Sequence, residues 1–66
     1  MQRTLQEHIA FLEERIAKLE AQAVDLSRTA AERYQLSVDL ATAQSALVHF
    51  RKAYELEQEV SERISN

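Results

Sequence analysis

Apolar residues recur at alternating steps of four and three along both halves of this 66-residue chain. The first row is Leu5, Ile9, Leu12, Ile16, Leu19, Ala23 and Leu26, and the second is Leu36, Leu40, Ala43, Leu47, Phe50 and Tyr54. Such spacing places the side chains on one face of a helix and is typical of a coiled coil. The chain also contains no glycine and no proline, which strand-connecting turns favour. The sequence therefore predicts an all-α fold.

The two apolar rows are out of phase with each other. If the first row continued past Leu26 at the same steps, every second position would be polar: Ser37, Gln44, Arg51 and Gln58. The second row instead uses the residues one position earlier, Leu36, Ala43 and Phe50. An offset of one residue is about 100° around a helix, and a single insertion of three or four residues does not produce it. A reversal of the chain does, so we predict two helices rather than one.

A turn is indicated where the rows change phase. Thr29 and Glu32 have the spacing of a capping box, in which the hydroxyl and the carboxylate each accept a hydrogen bond from a backbone amide at a helix start. Thr4 and Glu7 repeat the pattern at the first helix. No glycine is present to end the first helix in a left-handed conformation. Either Ser27 or Arg28 takes that conformation, or the turn has another geometry.

We therefore predict one antiparallel two-helix coiled-coil hairpin over residues 1–66, with the second helix longer than the first. The first helix covers about residues 4–26, the turn about 27–29 and the second helix about 30–64. Arg33 falls near the turn, where its aliphatic stem can cover the core while its charged head reaches water. The predicted core of the hairpin is Leu5, Ile9, Leu12, Ile16, Leu19, Leu26, Leu36, Leu40, Ala43, Leu47 and Phe50.

The hairpin leaves apolar residues that one partner helix cannot cover. A second apolar row on helix two runs through Tyr34, Val38, Ala41, Ser45 and Val48. Beyond Tyr54 an overhang of about 12 residues has no part of helix one beside it, and apolar residues still recur in it at helical spacing. Chains this short need staples or oligomerisation to offset conformational entropy. We expect a homodimer with a four-helix bundle-like arrangement. The predicted oligomer or partner interface is Phe11, Tyr34, Val38, Ala41, Val48, Ala53, Tyr54, Leu56, Val60 and Ile64.

The residues that could carry chemistry have simpler roles. His8 and His49 fall at similar heights in the hairpin and could bind zinc together with Glu7, but both histidines flank the apolar rows, and we expect them to be exposed to solvent. Glu14 and Lys18 form a favourable ion pair along one helix, and no serine has an evident general base. We predict no catalytic, cofactor-binding or metal-binding residues, no cofactor and no enzymatic activity.

Charge and hydropathy restrict the partners. The net charge is −3, and the only adjacent basic pair is Arg51–Lys52, so nucleic-acid binding is disfavoured. No apolar run approaches the ~20 residues of a membrane span, and we expect no membrane association. Residues 1–8 lack the apolar stretch of a secretory signal, so we expect a cytoplasmic location.

Two functional interpretations stay open from the sequence. The first is a self-associating hairpin that serves as a structural or protein–protein interaction module through its apolar rows. The alternative is a small regulatory hairpin that binds and modulates a larger protein, or less favourably a structured RNA, through exposed polar residues: Arg15, Lys18, Arg51 and Lys52. The sequence identifies no partner, and it leaves open dimer against tetramer and the orientation of the hairpins.

Overall fold

The computed structural model describes residues 4–65, without the side chain of Ser65. Within this range the chain forms two helices, α1 (Leu5–Ala23) and α2 (Ala30–Ser65), which pack against each other, and no strand. The prediction of an all-α fold with two packed helices is confirmed. Residues 1–3 and 66 of the predicted hairpin lie outside the described residues.

The core forms where the two apolar rows meet. Ile16, Leu19, Leu36, Ala43 and Leu47 are buried, and Ile9, Leu12 and Leu40 are partly buried against them. Leu5 and Phe50, also predicted for the core, are partly buried near the open end of the hairpin. The two helices run in opposite directions. Gln6 in the first turn of α1 accordingly bonds to Tyr54, far along α2.

α2 begins at Ala30, the residue at which the sequence places its start, because Thr29 and Glu32 form the capping box. The Thr29 Oγ1 accepts a hydrogen bond from the Glu32 amide at 3.1 Å, and Glu32 Oε1 accepts from the Thr29 amide at 3.4 Å. Thr4 caps α1 by accepting from the Glu7 amide at 3.2 Å. Both helix starts therefore have their free amides partly satisfied by side chains of their own sequence.

α1 ends at Ala23, three residues before the predicted end, so the connection covers residues 24–29 rather than 27–29. The Asp25 carboxylate causes the early end, because Oδ1 accepts from the Ser27 amide at 3.0 Å and the Ser27 hydroxyl at 2.7 Å. Local bonds of this kind compete with helical ones. No described residue has a positive φ angle, so the turn closes without a left-handed residue.

The early end of α1 overturns one predicted core position. Leu26 was expected in the core because it continues the apolar row in phase, but it lies in the connection and is 86% exposed. Its carbonyl oxygen accepts a hydrogen bond from Arg33 Nη2 at 3.2 Å. The Arg33 head therefore binds the connection back onto the first turns of α2.

The difference in helix length determines the shape. α1 has 19 residues and α2 has 36. The molecule measures 56 × 20 × 17 Å, and its long dimension is close to the ~54 Å expected of α2 alone at about 1.5 Å per residue. Because Tyr54 lies beside the first turn of α1, residues 55–65 of α2 extend past the described start of α1. We call residues 55–65 the overhang.

Candidate interaction surface

One edge of the contact between α1 and α2 is polar. Gln6 Nε2 donates to the Tyr54 hydroxyl at 2.7 Å, and Arg51 Nη2 lies 3.2 Å from Glu13 Oε2. Tyr54 was predicted for the partner interface, but it is partly buried and bonded to α1. This edge is therefore closed by interactions within the chain.

The other edge contains a stacked pair of rings and a groove of mixed polarity. The His8 ring stacks on Phe50 with centroids 4.9 Å apart and ring planes 16° from parallel. A shallow groove continues along this edge and is lined by Phe11, Leu12, Arg15, Asp39, Thr42, Ala43 and Ala46. His8 is therefore engaged with an aromatic ring. Within the described residues, no group of three or more His, Asp and Glu side chains could hold a metal ion.

An uncharged stripe covers the side of α2 that points away from the core. Its members follow steps of three, four and four residues, repeated three times, from Ala31 to Ile64. All are exposed except Ala53, which is partly buried. We call this set the outer stripe: Ala31, Tyr34, Val38, Thr42, Ser45, His49, Ala53, Leu56, Val60 and Ile64.

The period of the outer stripe keeps it on one side of the helix. Steps of three, four and four give an 11-residue repeat with about 3.67 residues per turn, close to the ~3.6 of an α-helix. The core row, in contrast, repeats every seven residues. The outer stripe therefore runs nearly straight along all of α2 and joins the hairpin part of the helix to the overhang.

Side-chain size varies along the outer stripe. Large apolar residues lie toward both ends, where Val38 is 40%, Leu56 51%, Val60 54% and Ile64 79% exposed. The middle is small or weakly polar, and it forms a shallow depression lined by Ala41, Thr42, Ser45, Ala46, His49 and Phe50. The Thr42 hydroxyl donates to the Val38 carbonyl at 2.9 Å, so this polar group has a partner within the helix. The middle of the stripe can accept a close neighbour without leaving that hydroxyl unbonded.

The remaining predicted interface residues lie beside the outer stripe. Ala41 and Val48 are exposed on one flank of it, and Phe11 is exposed on α1 at the groove. Ala31, Thr42 and His49 were not predicted for the interface, because the hairpin part and the overhang have the spacing of two separate rows when each is taken alone. The signal that joins them is the three-four-four spacing, which differs from the four-three spacing of the core.

The basic residues of the alternative regulatory surface are mostly paired with carboxylates. Lys18 lies 3.2 Å from Glu14, Arg51 3.2 Å from Glu13 and Lys52 3.9 Å from Glu55. Arg15 lines the groove beside Phe11. Carboxylates next to these cations reduce the positive potential that a phosphate backbone would require.

The pKa of Asp25, in the connection, is lowered by its surroundings. The hydrogen bond from the Ser27 hydroxyl, helped by the Ser27 amide, holds the pKa of the Asp25 carboxyl below its ordinary value of 3.8. The positive charges of Arg28 and Arg33 act in the same direction and partial desolvation opposes them. The bonds favour the ionised carboxylate, which is the form that shapes the turn.

No helix in the described range is both long enough and apolar enough to cross a membrane. In comparisons with protein-family models, curated proteins and solved structures, the chain has no significant match.

Proposed function

We propose that this chain is a non-enzymatic structural module that self-associates through the outer stripe, so that two hairpins form a homodimer of four helices. The observation that carries the proposal is the exposed, uncharged surface along all of α2. A second copy can cover such a surface without burying a charge, which would be costly in an interface. The role of the module is to hold together two copies and whatever each copy is attached to or binds.

The small core supports the proposal. Five buried residues, Ile16, Leu19, Leu36, Ala43 and Leu47, form the centre of the hairpin. Ordering a residue costs about 1.5 kcal/mol, and a single core in a chain of this size contributes little beyond that cost. Burying a large apolar side chain contributes ~1.5–3 kcal/mol. Burying the exposed apolar residues of the outer stripe against a second copy would therefore add stability that the single chain lacks.

The overhang adds a second argument for association. In residues 55–65, Leu56, Val60 and Ile64 are all exposed and lie along the outer stripe. A helical segment of this length is marginal in water when nothing packs against it. An intermolecular contact would explain both its apolar residues and its helical structure.

A matched pair of lysine substitutions tests the proposal. Val60→Lys places a charge on the outer stripe of the overhang, and Gln58→Lys places the same charge on another face of the same segment. By symmetry the dimer contains each substitution twice. Val60 is 54% exposed in the single chain, so its further burial contributes roughly half of the ~1.5–3 kcal/mol of full burial, and losing it twice weakens association by at least about 10-fold. Sedimentation equilibrium should show Val60→Lys shifted toward monomer, while Gln58→Lys assembles like the original chain. Equal assembly of the two variants would contradict the role of the outer stripe.

A further inference from the structure

We propose that the two α2 helices of the dimer pair antiparallel over their full length, so that each overhang covers the beginning of the partner's α2. This inference rests on the proposed self-association and specifies how the second copy binds. Three properties of α2 support it: the symmetry of the outer stripe, the area that it offers and the distribution of charge along it.

The outer stripe is nearly symmetric about the middle of α2. The midpoint of Ala30–Ser65 lies between Leu47 and Val48. A twofold axis within one residue of this point places Val38 opposite the partner's Leu56, and Tyr34 opposite the partner's Val60. Twofold contacts require this self-complementarity. The smaller members also meet, with Thr42 opposite Ala53 and Ser45 opposite His49, so the shallow depressions of the two copies face each other at the centre.

An interface of sufficient area requires the full length of α2. A strip about 54 Å long and about 10 Å wide amounts to about 500 Å² per copy, or about 1,000 Å² in the pair, which is the lower limit for a specific interface. A pair that used only the hairpin part, residues 30–54, would bury about 750 Å² in total, which is typical of non-specific contacts. The overhang therefore brings the interface up to this lower limit.

The charge distribution favours antiparallel over parallel pairing. Residues 55–65 contain four acidic residues, Glu55, Glu57, Glu59 and Glu62, and one basic residue, Arg63, which gives a net charge of −3. Parallel pairing would place two such segments side by side. Antiparallel pairing separates them by most of the length of α2, several times the ~8 Å Debye length at physiological ionic strength. Each overhang then faces residues 30–40, where two acidic residues and one basic residue give a net charge of only −1.

The period of the outer stripe predicts the geometry of this pair. An 11-residue repeat favours helices that run straight or with a slight right-handed supercoil, whereas the seven-residue repeat between α1 and α2 favours a left-handed one. The small residues at the centre, Thr42 and Ser45, allow the two α2 backbones to approach closely where the helices cross. The four-helix assembly therefore has two kinds of helix contact, with different hands.

Disulfide trapping distinguishes the two orientations, because the chain contains no cysteine of its own. Val38→Cys and Leu56→Cys are prepared as separate chains, and both positions are exposed, so neither change removes a buried side chain. In the antiparallel pair these two positions are adjacent across the interface. Two copies of the same variant would hold their cysteines about 27 Å apart along the axis, beyond the ~7 Å Cα separation that a disulfide tolerates.

We expect an equimolar mixture of the two variants in a glutathione redox buffer to form the mixed disulfide as its main product, with little product from either variant alone. A mixture of Thr42→Cys and Ala53→Cys should behave in the same way. Gln44→Cys mixed with Leu56→Cys is the control, since Gln44 lies off the outer stripe, and it should not cross-link.

The opposite results overturn the inference in distinguishable ways. Efficient disulfides in each variant alone would show parallel pairing. The absence of any cross-link, in variants that sediment as dimers under reducing conditions, would show that the dimer uses another register or face and would leave self-association intact. A monomeric mass for the unmodified chain would overturn the proposed function as well.

Discussion

The inner and outer faces of α2 repeat with different periods and differ in how far they are covered. The inner face repeats every seven residues through Leu36, Ala43 and Phe50 and packs on α1. The outer stripe repeats every 11 residues and is exposed along almost its whole length. One helix therefore carries one apolar face that the chain covers by itself and a second, uncharged face that it leaves exposed.

This difference has a thermodynamic consequence. Substitutions on the inner face change the free energy of unfolding of a single chain, at every protein concentration. Under the proposed self-association, substitutions on the outer stripe change the free energy of association, so their effect on stability depends on concentration. Comparing variants at two concentrations therefore separates the contributions of the two faces.

The largest effect is expected from the inner face. Leu19 is 5% exposed, and Leu19→Ala should destabilise the hairpin by ~2–5 kcal/mol because it removes buried methyl groups and leaves a cavity. Leu56→Ala makes the same chemical change on the outer stripe and should cost less, with a deficit that grows at concentrations where the dimer forms. Urea unfolding followed by circular dichroism at a low and a high concentration measures both. A concentration-independent deficit for Leu56→Ala would show that this residue does not contribute to association.

An intermediate effect is expected at the start of α2. Thr29→Ala removes the hydroxyl that accepts from the Glu32 amide and so weakens the helix that carries both faces. Loss of an N-cap side chain costs about 1 kcal/mol. Thr29→Ser retains the hydroxyl and is the matched control. Thermal unfolding should show a lower midpoint for Thr29→Ala and a near-normal midpoint for Thr29→Ser, and equal midpoints for the two would exclude a role for the capping box.

The smallest effect is expected in the connection, as a change in pH dependence. The pKa of Asp25 is lower in the folded chain than its unfolded value of 3.8. The unfolded state therefore binds the proton more tightly, and the stability that the carboxylate contributes is present above pH 3.8 and is lost as the pH falls through the folded-state pKa.

Asp25→Asn keeps a hydrogen-bond acceptor but does not titrate. Thermal midpoints of the two chains, recorded from neutral pH downward, should converge as the pH falls below 3.8. A constant difference between the chains across that range would contradict the role of the ionised carboxylate in the turn.

The parts of the fold that periodicity controls were predictable from the sequence. The phase change between the rows indicates the reversal, and the capping box at Thr29 predicts the start of α2 because both of its residues are local. The end of α1 was not predictable in the same way, since Leu26 continues the apolar row in phase. The hydrogen bonds between Asp25 and Ser27 end the helix before Leu26. Such bonds between side chain and backbone compete with helix formation, and the spacing of apolar residues does not reveal them.

The candidate surface was predictable in its residues more than in its continuity. Tyr34, Val38, Leu56, Val60 and Ile64 were expected at an interface, and the structure places all of them on the outer stripe. Thr42, Ser45 and His49 connect the two apolar ends of the outer stripe, but each is a residue type that is common on solvent-exposed helix faces. Their position between two apolar ends became informative only once their exposure and the length of α2 were known.

Sedimentation equilibrium of the unmodified chain over a range of concentrations, with helicity recorded in parallel, tests the central claim most directly. We predict a helical species with twice the chain mass of 7.6 kDa that loses helicity as it dissociates on dilution, because folding and association are linked. A fully helical species of 7.6 kDa at micromolar concentration would contradict the claim that the outer stripe binds a second copy.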